Sequence, residues 1–259
     1  FDQLKMRPEE LEEMDSLKKR TKVGIKAPVE DTAGKVNVLL QNFMQQSNIK
    51  SFTLQSDTNF IAQNASRIAR ALFEISLKRG WSSLALYYLT LCRSIDQRIN
   101  TTQSPLRQFG SELSYHVLTA IEKSGATLEQ MLDMESRELD QLSRSKGSGA
   151  KIASLLRRIP YLEADVQLKP ITRSMLRVVI ELRCSFTWVE RWHGGAEAFW
   201  VWIEDGENEY IYHSEYILVQ KSRRDDAHVL DFAIPIREPL PPQYYLRIAS
   251  DTWIGSDAL

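Results

Sequence analysis

Apolar and polar positions follow a regular pattern near residues 57–79, where the sequence predicts a helix with two different faces. One stripe recurs at three- and four-residue steps and predicts a side that packs on a core: Ile61, Ala65, Ile68, Leu72 and Ile75. A second stripe at similar spacing joins an aromatic ring, an amide and several charged groups: Phe60, Gln63, Arg67, Arg70, Glu74 and Lys78. Asp57 is the predicted N-cap of this helix, and Gly80 is its predicted end.

The second stripe carries the side chains with which a protein can hold a single nucleic-acid strand. Cations bind phosphates without reading the base sequence, and flat groups stack on bases. A charged stripe is also the ordinary form of a helix face that contacts only water. The pattern alone therefore leaves both interpretations open.

The first 34 residues predict a short helical segment followed by a linker. Pro8 is suited to a helix start, and the acidic residues after it lie near the positive end of the helix dipole. Residues 21–34 are punctuated by Gly24, Pro28 and Gly34, which is typical of a connection without regular structure.

Two more helices are predicted on either side of the two-faced helix. The first covers residues 35–46 and has an apolar stripe formed by Val36, Leu39, Leu40 and Phe43. The second covers residues 83–98, with apolar positions at Leu84, Tyr87, Tyr88, Leu91 and Ile95. Together they predict an all-α helical bundle over residues 35–108.

A glycine-containing turn dominates the next segment, residues 109–162. A helix is predicted to end near Arg144 and another to begin near Ala150, and the candidate phosphate contacts around the turn are Lys146, Gly147, Ser148, Gly149 and Lys151. Two glycines spaced by one residue allow a tight turn, and the following helix would offer free N–H groups and the positive end of its dipole. This pattern predicts a helix-hairpin-helix domain, although a glycine-rich turn between two packed helices needs no ligand.

The period changes from 3.6 to 2 after Ala164, which predicts strands. The predicted strands are Met175–Cys184, Phe199–Glu204, Tyr210–Val219, His228–Ile236 and Tyr244–Ser250. Five or six strands with hairpin signals predict an immunoglobulin-like or fibronectin-III-like β-sandwich over residues 163–259. The segment Leu240–Tyr244 is a candidate tyrosine corner, and the five tryptophans of this region are assigned to the core or to a docking surface for another protein. The predicted fold class is therefore α+β and multidomain.

Charge is distributed unevenly, although the net charge is only −1. Residues 51–107 contain seven Lys/Arg against three Asp/Glu, a balance of +4, whereas residues 161–259 contain ten against sixteen, a balance of −6. Nucleic acid is therefore expected at the middle of the chain, and protein partners at its acidic end. The chain begins with Phe1 rather than Met, so we expect it to be a piece of a longer protein.

Motifs of catalysis are missing from the sequence. It contains no glycine-rich GKS or GKT loop, its four histidines occur singly, and no His, Cys and carboxylate cluster has the spacing of metal ligands. Cys92 and Cys184 are predicted to be reduced thiols of an intracellular protein, and no run is apolar enough for a membrane span. We therefore expect no enzyme activity, cofactor or metal in this segment itself.

Several long strings resemble the Sec sixty-three unit that follows the motor of superfamily-two helicases of the Ski and Brr type. They are IKSFTLQSDTNFIAQNASRIARALFEISLKRGW, SPLRQF, LKPITRSMLRV, GGAEAFWVWIED, YIYHSEYILV and EPLPPQYYLRIASDTWIG. The resemblance implies that the helix near residues 57–79 acts as a ratchet on a translocating strand. Arg67 and Arg70 become its leading contacts, and Gln63, Asn64 and Phe60 support them. It also implies that ATP and Mg²⁺ bind in the motor domains of the same parent chain.

Two departures from the family pattern affect these expectations. No string like GxIASYYY precedes Phe1, and the family adds a last strand after the region of Ser250–Gly255, which predicts an unpaired sandwich edge here. The resemblance further implies a nuclear location with a possible cytosolic share, and no membrane contact. The main alternative is an interaction scaffold whose acidic sandwich binds proteins without nucleic acid. A weaker alternative is the translocation protein of the endoplasmic reticulum that shares this unit.

Overall fold

The computed structural model describes residues 4–206, 210–236 and 241–259, and these form an α+β chain, as predicted. The helices are α1 (Leu11–Lys18), α2 (Thr32–Met44), α3 (Phe52–Arg79), α4 (Ser82–Gln97), α5 (Tyr115–Ser124), α6 (Leu128–Asp133), α7 (Ser136–Ser143), α8 (Gly149–Leu156) and α9 (Glu190–His193). Short 3-10 turns occupy Pro8–Glu10, Pro105–Glu112 and Lys221–Arg223. The strands are β1 (Leu162–Thr172), β2 (Met175–Cys184), β3 (Ala196–Asp205), β4 (Ile211–Gln220), β5 (His228–Pro235) and β6 (Tyr244–Ser250).

The chain divides into two compact units. The first contains Phe1–Leu72 and Tyr88–Ser104, and the second contains Phe73–Tyr87 and Pro105–Leu259. The boundary therefore falls inside α3 and inside α4 rather than in a linker. The division into four domains that the sequence suggests stays a prediction.

Charged side chains are buried in the first unit beside its apolar core. The Lys35 ammonium lies 2.7 Å from Glu10 Oε2 and 2.7 Å from Asp57 Oδ2, and the Lys35 side chain is fully buried. Because these residues belong to α2, α3 and the turn before α1, the ion cluster connects three elements. Around it lies an apolar core that includes Met14, Leu17, Val38, Leu39, Leu54 and Ile61.

Helix α3 begins earlier than predicted. It starts at Phe52, and the Ser51 hydroxyl oxygen lies 3.5 Å from the Leu54 amide nitrogen that donates to it. Asp57 is therefore not the N-cap, because its carboxylate is bound to Lys35 inside the first unit. The predicted end is confirmed, since Gly80 has a left-handed φ of +76° and follows the last helical residue.

The predicted apolar stripe of α3 is confirmed at Ile61 and wrong at Ile68 and Ile75. Ile68 is 59% exposed and Ile75 is 49% exposed, so neither packs in the core. The buried positions of this helix are Leu54, Asp57, Thr58, Ile61, Ala62, Ala69, Phe73 and Ser76. Several of these are small, because a small side chain allows neighbouring backbones to approach closely. The same error affects α4, where Leu84 and Tyr87 are exposed and Ala85 and Leu89 are buried.

The second unit contains the short helices and two antiparallel sheets. One sheet has the order β1-β2-β5, and the other has the order β4-β3-β6. Their facing side chains share one core, which includes Val178, Ile180 and Leu182 from the first sheet and Phe199, Val201 and Ile248 from the second. A separate core lies among the short helices and includes Phe109, Leu139, Ile152 and Trp253.

Five strands follow the predicted segments within three residues at each end, but β1 was not predicted as a strand. Its apolar residues Leu162, Ala164, Val166 and Leu168 do alternate with polar ones, but every residue after Leu162 is exposed. The expected unpaired edge is partly covered, because Ala258 exchanges two backbone hydrogen bonds with Ile248 of β6. Leu240 of the candidate tyrosine corner lies outside the described residues, and the buried Tyr244 hydroxyl has no hydrogen-bond partner among them.

Candidate nucleic-acid interface

A groove in the first unit runs beside the exposed face of α3. It has a volume of about 570 Å³ and is bordered by α3, the end of α2 and the end of α4. Its lining residues are Phe43, Asn59, Ala62, Gln63, Ser66, Arg67, Ile95, Asp96 and Arg98. A smaller hollow of about 240 Å³ shares Phe43, Asn59 and Arg98 with it and adds the polar residues Ser47, Asn48 and Gln55. The two hollows therefore adjoin at Phe43, Asn59 and Arg98.

Arg98 directly follows α4, and both its side chain and its backbone contact residues near the end of α2. Its guanidinium carbon lies 4.5 Å from the centre of the Phe43 ring, which is a cation–π distance. Its backbone has a left-handed φ of +53°, and its carbonyl accepts a hydrogen bond from the Gln46 amide at 3.1 Å. Arg98 is thus a positioned cation that keeps most of its donors for a ligand, since its side chain is exposed.

Arg67 lines the same groove from α3. Its side chain is exposed and makes no ion pair or hydrogen bond to another residue of the described chain. The one carboxylate of the lining, Asp96, accepts a hydrogen bond from the Ser66 hydroxyl at 2.5 Å. The groove therefore offers two guanidinium groups, Arg67 and Arg98, against one carboxylate.

The remaining α3 residues of the predicted site fall into two groups. Phe60, Gln63 and Lys78 are exposed, as a ligand-binding face requires. Asn64 is half-buried and donates to the Phe60 carbonyl at 2.8 Å, so part of its hydrogen-bonding capacity is used within the helix.

Arg70 differs from Arg67 in its surroundings. It is half-buried and close enough to Cys92 to lower the pKa of that thiol, although burial of Cys92 is the larger effect and raises it. Arg70 is therefore engaged within the first unit. Sequence reasoning ranked the two arginines together because spacing cannot distinguish an exposed position from a half-buried one.

The residues that sequence reasoning missed come from other helices. Phe43 was assigned to the core of α2, and Arg98 attracted no assignment as the last residue of its helix. Both are brought to α3 only by the packing of the bundle, since they lie 55 residues apart in the chain. The excess of positive charge in residues 51–107 was the one signal that included Arg98.

The turn between α7 and α8 differs from its prediction. The Asp140 carboxylate accepts a hydrogen bond from the Gly149 N–H at 2.6 Å. Hydrogen bonds from the backbone N–H groups of Gly147, Gly149 and Ser148 also hold the pKa of Asp140 below its usual value. The prediction of free N–H groups at this turn is therefore wrong, because an internal carboxylate occupies the place expected for a phosphate.

The lysines beside this turn have different surroundings. Lys146 is exposed, whereas the Lys151 ammonium lies 3.1 Å from Glu112 Oε2 in an ion pair. The contacts predicted here for Lys146, Gly147, Ser148, Gly149 and Lys151 stay a prediction, with Lys146 as the most accessible cation among them.

The structure places the two cysteines apart, and neither is in a disulfide. Burial raises the pKa of the Cys184 thiol to about 11, which makes it a poor nucleophile at neutral pH. In the described part of the chain, no group of three or more His, Cys, Asp or Glu side chains is arranged to hold a metal ion. No helix among the described residues has the length and apolar character needed to cross a bilayer.

Comparison of the whole sequence with known protein families identifies the family of this chain. A family model described as the Sec63 Brl domain matches residues 1–259. The chain belongs to this family. The resemblance drawn from the sequence strings is therefore confirmed over the full chain.

Relatives of this Sec63 Brl domain are found in much longer proteins. Activating signal cointegrator 1 complex subunit 3 of Homo sapiens is 41% identical over 263 residues, which cover 100% of this chain and 12% of that protein. The U5 small nuclear ribonucleoprotein 200 kDa helicase of Drosophila melanogaster is 42% identical over 257 residues, which cover 99% of this chain and 12% of that protein. The human form of that helicase is 39% identical over 257 residues, with 99% and 12% covered.

Proposed function

We propose that this Sec63 Brl domain is a non-catalytic module of an ATP-dependent helicase and guides a single nucleic-acid strand along the groove beside α3. This role is supported by the match of 99% of the chain to part of a protein named as a helicase. ATP and Mg²⁺ would bind in motor domains of the same parent chain, and the parent would act in the nucleus with a possible cytosolic share. The chain spans 12% of that relative, so the parent's activity is itself part of the proposal.

The observation that carries this role is the pair of accessible guanidinium groups in one groove, Arg67 on α3 and Arg98 over Phe43. Guanidinium groups bind phosphate oxygens through charge-assisted hydrogen bonds, which do not depend on base identity. The exposed ring of Phe60 on α3 can stack on a base, a contact worth about 1–3 kcal/mol. Such contacts suit a strand that must slide, because they accept any sequence.

The finer division of the fold belongs to the same proposal. The first unit would be the ratchet-bearing bundle, α7 and α8 would form a helix-hairpin-helix element, and the two sheets would form an immunoglobulin-like sandwich. The shared core of the two sheets supports the last of these. Lys146 would contact a phosphate through its ammonium group, and the backbone N–H groups of the turn would not take part.

Binding of a fluorescent single-stranded oligonucleotide to the 259-residue chain tests the role of the groove. The double variant Arg67→Gln with Arg98→Gln should bind at least about tenfold more weakly, because two charged phosphate contacts are lost. The dependence of log K on log salt should also become shallower by about 1.4, at about 0.7 per contact on a single strand. Arg20→Gln with Lys22→Gln, at two exposed cations outside the groove, removes the same charge; it is the matched control and should bind like the wild type.

Thermal unfolding of each variant separates a loss of contacts from a loss of fold. A double variant that folds normally and binds with unchanged affinity and salt dependence would exclude the groove as the strand-binding surface. Equal losses of binding affinity in the groove variant and in the control variant would show that net charge alone causes the effect.

A second candidate function is a scaffold that binds proteins through the sheets. It is favoured by the balance of −6 in residues 161–259, which opposes phosphate binding there. The double groove variant distinguishes the two functions in a helicase that carries this domain. Guidance of the strand predicts lost unwinding with normal complex assembly, whereas a scaffold predicts that both are unchanged.

A further inference from the structure

Strand β1 forms an edge of its sheet, and β2 is its only strand neighbour among the described residues. It is long, at 11 residues, and all but the first of them are exposed. Along Asp165–Lys169, before Pro170, which lacks an N–H, this edge presents backbone groups on which another strand can add. The sequence and register of β1 indicate which strand that is.

The backbone orientation of β1 follows from one hydrogen bond and the strand register. Leu162 lies opposite Cys184, and the preceding residue, Tyr161, accepts a hydrogen bond from the Ser185 N–H at 2.9 Å. In an antiparallel pair, alternate residues point their N–H and C=O groups to opposite sides. Odd-numbered residues of β1 therefore bond to β2, and even-numbered residues such as Val166 and Leu168 direct their backbone groups outwards.

The same even-numbered residues extend the apolar face of the sheet. Val166 lies opposite Ile180, and Leu168 lies opposite Val178. Both β2 residues are fully buried in the shared core, whereas Val166 is 41% exposed and Leu168 is 56% exposed. Since directly opposite residues share a face, the core-facing surface continues onto β1 without a cover.

The charged residues on the other face of β1 lie opposite like charges, although Arg183 attracts Asp165 and Asp231 attracts Lys169 without a direct ion pair. Asp165 lies opposite Glu181, and Lys169 lies opposite Arg177. Glu181 is already paired with Arg183, and Arg177 is paired with Asp231. Like charges in opposite positions are destabilising, and neither Asp165 nor Lys169 has an ion pair within the described residues. Each would gain from an opposite charge on the free side of the strand.

We propose that β1 pairs with β1 of a second copy of this chain, antiparallel and with the two-fold axis at Gln167. In this register Asp165 faces the partner's Lys169, and Lys169 faces the partner's Asp165. Val166 lies opposite the partner's Leu168, and the backbone groups of both residues point outwards and can form hydrogen bonds with each other. The register that pairs the side chains therefore also pairs the backbones. The segment Asp165–Lys169 is thus complementary to itself in charge, apolar contact and backbone direction.

The contact is expected to be reversible. A single pair of strand edges buries less surface than the roughly 1,600 Å² of a standard stable interface. Dimers should therefore form with rising concentration and weaken as salt screens the exposed ion pairs.

Sedimentation velocity of the 259-residue chain over a wide micromolar range tests the pairing. The wild type should show a monomer–dimer equilibrium. Asp165→Lys should weaken dimerisation at least about tenfold, because symmetry converts two attractions into two repulsions. Combining Asp165→Lys with Lys169→Asp exchanges the two charges and should restore dimerisation to within about threefold of the wild type.

Two further variants control for net charge and for the apolar contact. Asp15→Lys makes the same charge change at an exposed position of α1 and should leave dimerisation unchanged. Val166→Lys should abolish dimerisation, since symmetry would place two ammonium groups in the apolar contacts with Leu168 of the partner subunit. A wild type that stays monomeric at every concentration would overturn the pairing, and so would a charge exchange that fails to restore it in a folded protein.

Discussion

Lys35 shows how a single residue organises the first unit. Its fully buried ammonium is bonded to Glu10 and Asp57 at 2.7 Å each. Burial raises the pKa of Glu10, but hydrogen bonds from Lys35, Thr53 and Arg7 outweigh this and bring it to about 2. The carboxylate therefore stays ionised at neutral pH, and the lysine compensates it.

Replacing Lys35 with Met should destabilise the chain by about 3–5 kcal/mol, because two buried carboxylates would lose their buried cation and keep only the partly exposed Arg7. The free energy of unfolding in urea measures this loss. Lys50→Met, at an exposed position, should change it by less than about 0.5 kcal/mol. A loss as small as that for Lys35→Met would show that the ion cluster contributes nothing to the fold.

Sequence reasoning could not predict this cluster. Asp57 has the position and chemistry of a helix cap, and Lys35 lies at the end of a glycine- and proline-containing linker. Their partnership depends on three segments that are separated by 22 to 25 residues. Local rules describe each residue correctly as polar and therefore place all of them at the surface.

At the scale of elements, helix ends were easier to predict than helix faces. Gly80 ends α3 as predicted because few other residues adopt a positive φ without strain. The face was wrong because α3 carries large apolar residues on several sides, and the periodicity gave weight to Ile68 and Ile75. The packed face uses Ala62, Ala69 and Ser76, whose small size a hydrophobicity pattern scores weakly.

The close crossing of α7 and α8 depends on Gly149. A Cβ atom there would lie 1.9 Å from the Ser136 carbonyl oxygen, which is backbone and cannot rotate away. Gly149→Ala should therefore cost at least about 3 kcal/mol of unfolding free energy. Gly147→Ala is a matched comparison, because a Cβ there has no atom within 4 Å and only the φ of +85° opposes it, at a cost of about 1 kcal/mol.

Thermal and urea unfolding of the two glycine variants measure this difference. Equal losses would show that the two helices move apart readily and that their crossing is not tightly packed. A larger loss for Gly147→Ala would contradict the geometry of the crossing altogether.

At the largest scale, the helices and sheets of the second unit are joined by buried aromatic and polar contacts. Trp253 belongs to the core of the short helices, and its indole N–H donates to Glu197 of β3 at 3.1 Å. Burial raises the pKa of Glu197 to about 7, although the hydrogen bond from Trp253 acts in the opposite direction. This carboxyl group therefore holds a proton under conditions where an exposed glutamate does not.

The stability of the chain should consequently depend on pH. The folded state keeps the Glu197 proton up to about pH 7, while the unfolded state loses it near the ordinary glutamate pKa of 4.5. The stabilisation is complete below that lower value and is lost as pH rises through 7, by roughly 2–3 kcal/mol. Glu197→Gln keeps an acceptor for Trp253 and should remove this part of the dependence, which urea unfolding at pH 5 and pH 8 measures.

The control for this prediction is the difference in unfolding free energy between the wild type and Glu197→Gln at each pH. Glu197→Gln should gain stability relative to the wild type as pH rises from 5 to 8. A constant difference would show that Glu197 ionises normally in the folded chain.

The sequence predicted the fold class and the family more fully than it predicted the residues of the groove. The change of period near residue 164 separated helices from strands, and long strings identified the family. Strand β1 was missed although Leu162, Ala164, Val166 and Leu168 alternate with polar residues, because Pro170 within the run argues against a strand. Phe43 and Arg98 were missed because a groove is a property of packing, whereas a stripe is a property of one helix.

The carboxylate of Asp140 has consequences for exchange at the α7–α8 turn. A group tethered to the same backbone competes with solutes at an effective concentration on the order of millimolar or above. A passing phosphate would have to expel this resident anion before it could reach the amides of Gly147 and Gly149. The backbone N–H groups of this turn are therefore already bound to Asp140. The turn suits a rigid connection between two helices better than repeated binding and release of phosphates.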